Sequence, residues 1–281
     1  MAAAATTAAA PDVPAPLDAT VAATRFRLLE ALGAGSFGIV TKQLDTATGK
    51  EVVLKTTKAL SDGEYTAALR EVAVQASVSG HPHVVPYICH FRDAKRKLTI
   101  VMEFEAGGEL GTYVAAEVAA GRWSVGRALQ MMLDIASGVA FIHDHRIWHR
   151  DLKPENVLVN GDGRALIADF GMARQSGGLG ASTIHRTVAG SPLHMAREIV
   201  GPYVRREGVA VYTSAADIWS FGALSHGLFV AERVAASGAS GEEQMRQASP
   251  FWRPGATDAA LLDAIERGDA DWSRLPADTP P

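Results

Sequence analysis

HRDLKPEN, residues His149 to Asn156, sets a carboxylate, a lysine and an amide within one short polar segment. An apolar run of helical spacing precedes it and the apolar VLV follows. The segment therefore reads as a loop gripped between two rigid elements, where chemistry-bearing side chains are commonly aimed. Asp151 can accept a proton, Lys153 can neutralise an anion, and Asn156 can ligate a hard cation. That set suits phosphoryl transfer, which depends on positioning and charge neutralisation more than on covalent chemistry. A polar turn of accidental composition is the competing reading, and eight such positions in a row count against it.

Bulk properties narrow the class. At 281 residues the chain can form one large domain or two small ones, and 47% hydrophobic against 21% charged residues is the balance of a soluble globular protein. A net charge of −4 offers no electrostatic case for nucleic acid or an anionic membrane as a general partner. The single cysteine, Cys89, excludes an internal disulfide and fits a reducing compartment, so a cytoplasmic location is expected, with the nucleus as the alternative. No stretch approaches the roughly 18 uninterrupted apolar residues of a membrane span. Residues 1–24 are rich in Ala, Thr and Pro, lack the basic start and leucine-rich core of a secretory signal, and read as a disordered tail.

From Arg25 the pattern changes to RFRLLEALGAGSFGIVTKQLD: a β-like stretch, a glycine-rich turn, and a second β-like stretch with Ile39 and Val40. The turn at Thr46 to Lys50 then leads into EVVLKTT, another strand. GAGSFG also fits the dinucleotide fingerprint, with Glu51 near the spacing of its ribose acid. That fold needs a helix after the glycines, and IVTKQL is strand-like, so the glycines read instead as a flap whose backbone N–H groups face phosphates.

GAGSFGIV (Gly33 to Val40), VVLK ending at Lys55, HRDLKPEN, and DFG (Asp169 to Gly171) resemble the protein-kinase signature set, in the family's order. The resemblance runs from about Arg25 to the end of the chain. It implies an α+β, bilobal protein-kinase-like fold over 25–281. A small β-rich N-lobe with one key helix would occupy about 25–102, a hinge 103–107, and a mainly α-helical C-lobe 108–281.

The resemblance also implies a role for each residue. ATP would be held by Leu32, Gly33, Ala34, Gly35, Ser36, Phe37, Gly38, Val40, Val53 and Leu158, with Met102 at the back of the adenine pocket. The backbone of Glu103 and Glu105, flanking Phe104, would meet the adenine edge, and Glu109 the ribose or a basic substrate residue. Lys55 would hold phosphates as a point charge, fixed by Glu71 on a helix opened by the SDGE segment. Asp151 would take the proton of a protein hydroxyl, Lys153 would meet the transferred phosphate, Asn156 with Asp169 would hold Mg2+, and Asp217, on a helix from Thr213 to Phe229, would hydrogen-bond the backbone of this loop. Lys153 after Asp151-Leu152 favours serine and threonine acceptors. Thr187 falls where the family often carries its activating phosphate, with Arg150 to pair it. The implied function is an ATP-dependent serine/threonine protein kinase, its partner a protein substrate that Glu109 and Glu155 hint is basic.

Some positions depart from the family. Gln75 stands on the Glu71 helix where an apolar residue is usual, and a buried glutamine needs partners. Arg197 replaces the proline of the usual A-P-E. No counterpart of the family's last helices is read before Pro281, nor of the arginine that would neutralise Glu198. The C-lobe is accordingly expected to lack those helices, and a partly buried, unpartnered Glu198 would cost on the order of 1–3 kcal/mol. These departures motivate the alternative reading, a kinase-shaped nucleotide-binding or interaction protein with weak or no turnover. The H-x-H at His81 and His83, with His90, lacks a second ligand cluster and reads as structural rather than as a metal site.

Overall fold

A computed structural model describes residues 13–35, 38–175, 183–185, 192–205, 210–239 and 241–276. Ser36, Phe37 and Thr187, and residues 1–12 of the expected tail, lie outside the described residues. The chain divides into two compact units, one ending at Ala106 and the other beginning at Gly107.

The first unit is built on a five-stranded antiparallel sheet. Its strands are β1 (Phe26–Ala34), β2 (Gly38–Asp45), β3 (Lys50–Ala59), β4 (Tyr87–Arg92) and β5 (Lys97–Glu103), in the order β1-β2-β3-β5-β4. Residues opposite one another in a ladder share a face. The pairs Val40↔Lys55, Lys42↔Val53, Lys55↔Ile100 and Val53↔Met102 therefore place these six residues on one side of the sheet. Helix α2 (Asp62–Val78) covers part of that side, packing Val72 against Leu98 and Ile100, with Tyr65, Leu69 and Met102 around them. Val72 and Leu98 are fully buried, and each such side chain contributes about 1.5–3 kcal/mol. The helix starts where SDGE suggests, because Ser61 and Glu64 form a reciprocal capping box.

The opposite face carries Val52, Leu54 and Val101 and is covered by a helix that composition did not reveal. Helix α1 (Ala19–Arg25) is capped by Asp18, which accepts from the N–H groups of Thr20 and Val21. Its Ala22 is 3% exposed beside Phe26, and Leu17 N–H donates to His90 O at 2.7 Å on the edge strand. The expectation of a disordered tail through Thr24 is thus overturned for residues 19–24. An alanine-rich segment becomes helical once a cap and a small packing face are supplied.

Arg25 ends α1 by donating to both carboxylate oxygens of Asp45, at 2.8 and 2.7 Å. The Arg25 bonds, with Ala47 N–H and Thr48, hold the buried Asp45 carboxyl down at about 2. Because the folded value lies below the ordinary 3.8, this pair stabilises the fold fully above about pH 4 and loses its effect as pH falls toward 2. The shift corresponds to about 2 kcal/mol. Asp45→Asn is expected to lower the urea midpoint at pH 6 and to flatten its decline between pH 4 and pH 2. A variant that tracks the parent across that window would refute the assignment.

Gln75 is 2% exposed and its Nε2 donates to Val85 O at 2.7 Å. The buried amide therefore ties α2 to the segment entering β4 rather than loosening it. The histidines once weighed as ligands are likewise engaged: His81 and His83 rings meet edge to face, and Tyr87 Oη meets His90 Nδ1 at 2.9 Å.

The second unit is mainly helical. A small sheet of β6 (Gly108–Glu109), β8 (Val157–Val159) and β9 (Ala165–Ile167) runs in the order β6-β8-β9, and β7 (Ile147–Trp148) pairs with β10 (Arg174–Gln175). Around them stand α3 (Leu110–Ala119), α4 (Val125–Asp144), α5 (Arg197–Val204), α6 (Ser214–Ala236), α7 (Gly241–Ala248) and α8 (Asp258–Arg267), with β11 (Thr183–His185) pairing β12 (Ala210–Tyr212). Helix α4 is long and apolar enough to cross a membrane by composition alone. Its stripe Ala128, Met131, Ile135, Val139 and Ile142 is buried in the unit, and its buried Asp134 is gripped by both Nε and Nη2 of Arg164. That is the pattern of a core helix.

Helices α5 and α8 share a core of Ile199, Val200, Leu261 and Ile265 with Tyr212 and Phe251. Glu198 and Arg197 both face solvent at the start of α5. The expected burial cost at Glu198 is therefore absent, since an exposed carboxylate keeps its hydration.

Candidate active site

In the first unit the glycine turn closes on itself, with Gly35 N–H to Gly38 O at 2.9 Å and Gly38 N–H to Gly35 O at 3.3 Å. Gly38 has φ +147° and lies so close to β3 that a Cβ would fall 2.0 Å from Thr56 O. Only glycine fits there. One strand further, Lys55 Nζ meets Glu71 Oε1 at 2.8 Å, the pairing expected from the sequence. Both side chains are 22% exposed, so the lysine is fixed yet reachable. Met102 is the last but one residue of β5, and Glu103, which ends the strand, donates its N–H to Pro86 O at 3.1 Å. Glu105 is buried, and burial followed by the nearby Glu103 pushes its carboxyl up. The Phe104 ring takes Lys42 Nζ over its face at 4.1 Å. Leu32 and Ala34 sit exposed on β1, and Val40 and Val53 half-buried on β2 and β3.

In the second unit the polar loop is held from beneath by one carboxylate. Asp217 on α6 is 1% exposed; its Oδ1 accepts from Arg150 N–H, and its Oδ2 from His149 N–H, both at 2.8 Å. His143 Nε2, from the end of α4, meets the same Oδ2 at 2.8 Å. Arg150 sits in the left-handed region at φ +69°, a conformation that costs free energy unless neighbours enforce it. His149 is fully buried, with Nε2 on Ala168 O at 2.9 Å and its ring edge-on to Phe170. The loop and the DFG segment are thereby joined through one imidazole.

On this support stand the groups singled out in the sequence. Asp151 Oδ2 meets Lys153 Nζ at 3.0 Å and accepts from Asn156 Nδ2 at 3.0 Å. Asn156 is 7% exposed and gives its second amide hydrogen to Asp151 O at 2.7 Å, so the amide oxygen is the atom left to a cation. Asn156 O accepts from Ala168 N–H at 2.9 Å, which ties Asn156 to the approach of Asp169. Asp169 is exposed at φ +58° and accepts from Gly171 N–H at 3.1 Å. A neutral oxygen and a carboxylate so placed fit a hard cation that takes its remaining ligands from phosphate and water. Leu158 lies half-buried in β8 opposite Glu109 of β6.

Two features escaped the sequence reading. His194, at the end of the turn Pro192–His194, lies against Asp151 and Lys153; burial first, then Lys153, push its imidazole down to about 4. Among the described residues its Nδ1 finds no hydrogen-bond partner, while Ser220 Oγ donates to its backbone carbonyl at 2.7 Å. His194 also lines a cavity of about 630 Å³ between α3 and α6, with Glu109 and Glu155 on its rim.

The five-stranded sheet with its Lys55–Glu71 pair, and the helical unit with its Asp217-anchored loop, define a protein of the kinase class. The chain belongs to the protein kinase domain family, whose model matches residues 26–260. It is 33% identical over 207 residues to serine/threonine-protein kinase dst4 of Dictyostelium discoideum, covering 70% of this chain and 39% of that protein. It is 33% identical over 204 residues to CBL-interacting serine/threonine-protein kinase 13 of Arabidopsis thaliana, covering 71% and 38%. Against the maternal embryonic leucine zipper kinase of Xenopus tropicalis it is 34% identical over 205 residues, covering 72% and 29%. The chain thus spans about two-fifths or less of the length of these relatives.

Proposed function

We propose that the chain transfers the γ-phosphoryl group of ATP to serine or threonine hydroxyls of proteins. The observation that carries this reading is the Asp151–Lys153–Asn156 set, held by buried bonds from Asp217. Asp151 orients the acceptor hydroxyl and takes its proton as the new P–O bond forms, and Lys153 offsets the negative charge that develops on the transferred group. Lys55, kept extended by Glu71, is the point charge for the phosphates of ATP. Asn156 and Asp169 would hold Mg2+, which when bound neutralises phosphate charge. The three relatives bear kinase names, two of them as serine/threonine kinases, and Lys153 is in keeping with that acceptor class. The half-buried Cys89 thiol supports a reducing location such as the cytoplasm. The test is transfer of labelled phosphate from ATP to a generic basic protein, followed by identification of the modified amino acid. Equal incorporation by the parent and by Asp151→Ala, or label on tyrosine, overturns the reading.

Activation through Thr187 is part of the same proposal. The Arg150 guanidinium is buried against the Tyr212 ring, 4.0 Å from its centroid, and among the described residues its Nε and Nη2 find no hydrogen-bond partner. Buried unpaired guanidinium hydrogens are costly, and a phosphate on Thr187 is the ligand that would satisfy them. Hydrogen bonds of this charged type correspond to a roughly ten- to hundred-fold gain in rate if formed in the active state. Phosphorylated protein, verified by mass spectrometry, is expected to show that gain, and Arg150→Gln to abolish it. A gain that survives Arg150→Gln would remove Arg150 from this role.

A further inference from the structure

Residues 17–25 precede the family match, which begins at residue 26, yet they are built into the first unit. Leu17 N–H donates to His90 O at 2.7 Å on β4, and Leu17 and Phe91 pack on the buried cluster that holds Ala22 and Phe26. The Phe26 and Phe91 rings stack with centroids 6.2 Å apart. At the other end Arg25 grips the buried Asp45, and its carbonyl accepts from Thr46 N–H at 2.9 Å and from Thr46 Oγ1 at 2.8 Å. The segment is a strap on one face of the sheet, fastened at both ends. Strand β4 lies at the sheet edge with β5 as its one neighbour, so packing on its two faces has a large share in placing it. Cys89 and Phe91 stand opposite Val101 and Thr99, on the strap's face; Tyr87 and His90 stand opposite Met102 and Ile100, on the face that α2 covers. There Tyr87 Oη meets His90 Nδ1 at 2.9 Å, and Tyr87 packs on the cluster of Val72, Leu98 and Ile100. Tyr87 N–H donates to Ser79 Oγ at 3.0 Å, and Ser79 is the C-cap of α2. The edge strand is thus held between the strap and the helix that carries Glu71.

We propose that residues 17–25 are a positioning segment for ATP binding: docked, they hold β4 in the place from which α2 keeps Glu71 on Lys55. The contacts run from Leu17 to His90 O, from His90 to Tyr87, from Tyr87 to Ser79 and the Val72 cluster, and so to Glu71, the residue before Val72. Close-packed side chains and rigid elements of this kind transmit a displacement rather than absorb it. Lys55 is fixed by Glu71 at 2.8 Å, so a strap that comes away leaves the lysine present but poorly aimed. Docking depends on a small face. Ala22 is 3% exposed and has no room for a long charged side chain, while its neighbour Val21 is 49% exposed. The inference rests on the reading of Lys55 as the cation that holds the phosphates of ATP, and adds to it a segment that sets its aim.

The test is binding of a fluorescent ATP analogue with Mg2+ to the full chain, a readout that needs no turnover. Ala22→Glu, which undocks the strap, is expected to weaken binding by about three- to ten-fold. Ala22→Ser, small enough for the same face, and Val21→Glu, on the exposed side, leave binding as it is in the parent. Leu17→Pro removes the N–H bonded to His90 O, weakens binding in the same sense, and serves if Ala22→Glu does not fold. The route is read from a double-mutant cycle: in a Glu71→Gln background the effect of either variant shrinks to within about two-fold. Folded variants that melt at lower temperature but bind the analogue like the parent overturn the proposal, because the strap is then structural and nothing more. A loss that persists in full in the Glu71→Gln background overturns it too, since the strap then reaches ATP by another route. A parent that binds the analogue and transfers no phosphate to protein removes the kinase reading and leaves this inference standing. A parent that binds no analogue overturns both.

Discussion

Asp151→Ala is expected to lower transfer to a protein hydroxyl by about 10²–10⁴-fold, the usual contribution of a positioned proton acceptor. The carboxylate is held by Lys153 at 3.0 Å and Asn156 at 3.0 Å, so its direction is set before any substrate arrives. Its removal takes away an interaction with the acceptor and leaves Lys55 and Glu71 untouched. The loss should therefore appear in kcat, with KM for ATP little changed. Asp151→Asn sharpens the point: an amide keeps the size but cannot take a proton, so it should fall nearly as far as alanine. A half-active asparagine variant would mean that Asp151 orients the acceptor without removing its proton. Thermal melting separates this from unfolding, because the Asp151 side chain is 14% exposed and its loss leaves the Asp217 bonds in place.

The parts of the site that were legible in the sequence are those where chemistry and local backbone demand the same residue. Gly38 could be nothing else against Thr56 O, and the Lys55–Glu71 pair joins a strand to a capped helix whose start is written in Ser61 and Glu64. HRDLKPEN shows its acid, cation and amide in its residue types, and the structure brings Asp151, Lys153 and Asn156 together. The features that were not legible depend on partners far along the chain. Asp217, 68 residues from His149, is the exception: the family resemblance implied its bonds to the loop backbone, although backbone N–H groups have no side-chain signature of their own. Gln75 looked like a misfit by type and is satisfied by a carbonyl ten residues away. Helix α1 depends on a surface of the sheet that composition cannot show, so an Ala/Thr/Pro-rich stretch read as tail. Glu198 erred the other way: its cost was inferred from a position in a motif, whereas cost follows exposure. The cavity between α3 and α6 is lined mainly by apolar side chains from separate elements, which a search for functional groups passes over.

Asp217→Ala should destabilise the second unit strongly while leaving every proposed ATP contact intact. It orphans two buried backbone donors, His149 N–H and Arg150 N–H, and removes the partner of His143. Each unsatisfied buried donor costs about 1–3 kcal/mol, and the left-handed Arg150 loses one of the bonds that enforce it. The sum is roughly 3–5 kcal/mol, which for a protein of this size lowers the melting temperature by about 10 °C or more. Asparagine is a poor rescue. Its single oxygen can serve the side that receives both His149 N–H and His143, but its NH2 then faces Arg150 N–H, donor against donor. Asp217→Asn should therefore recover less than half of the loss. The same loosening frees the backbone that aims Asp151, so residual activity at low temperature should show a depressed kcat even where the variant is fully folded. An alanine variant within about 1 kcal/mol of the parent, or a folded variant with normal kcat, would show that the loop is held by other bonds and that Asp217 is not its anchor.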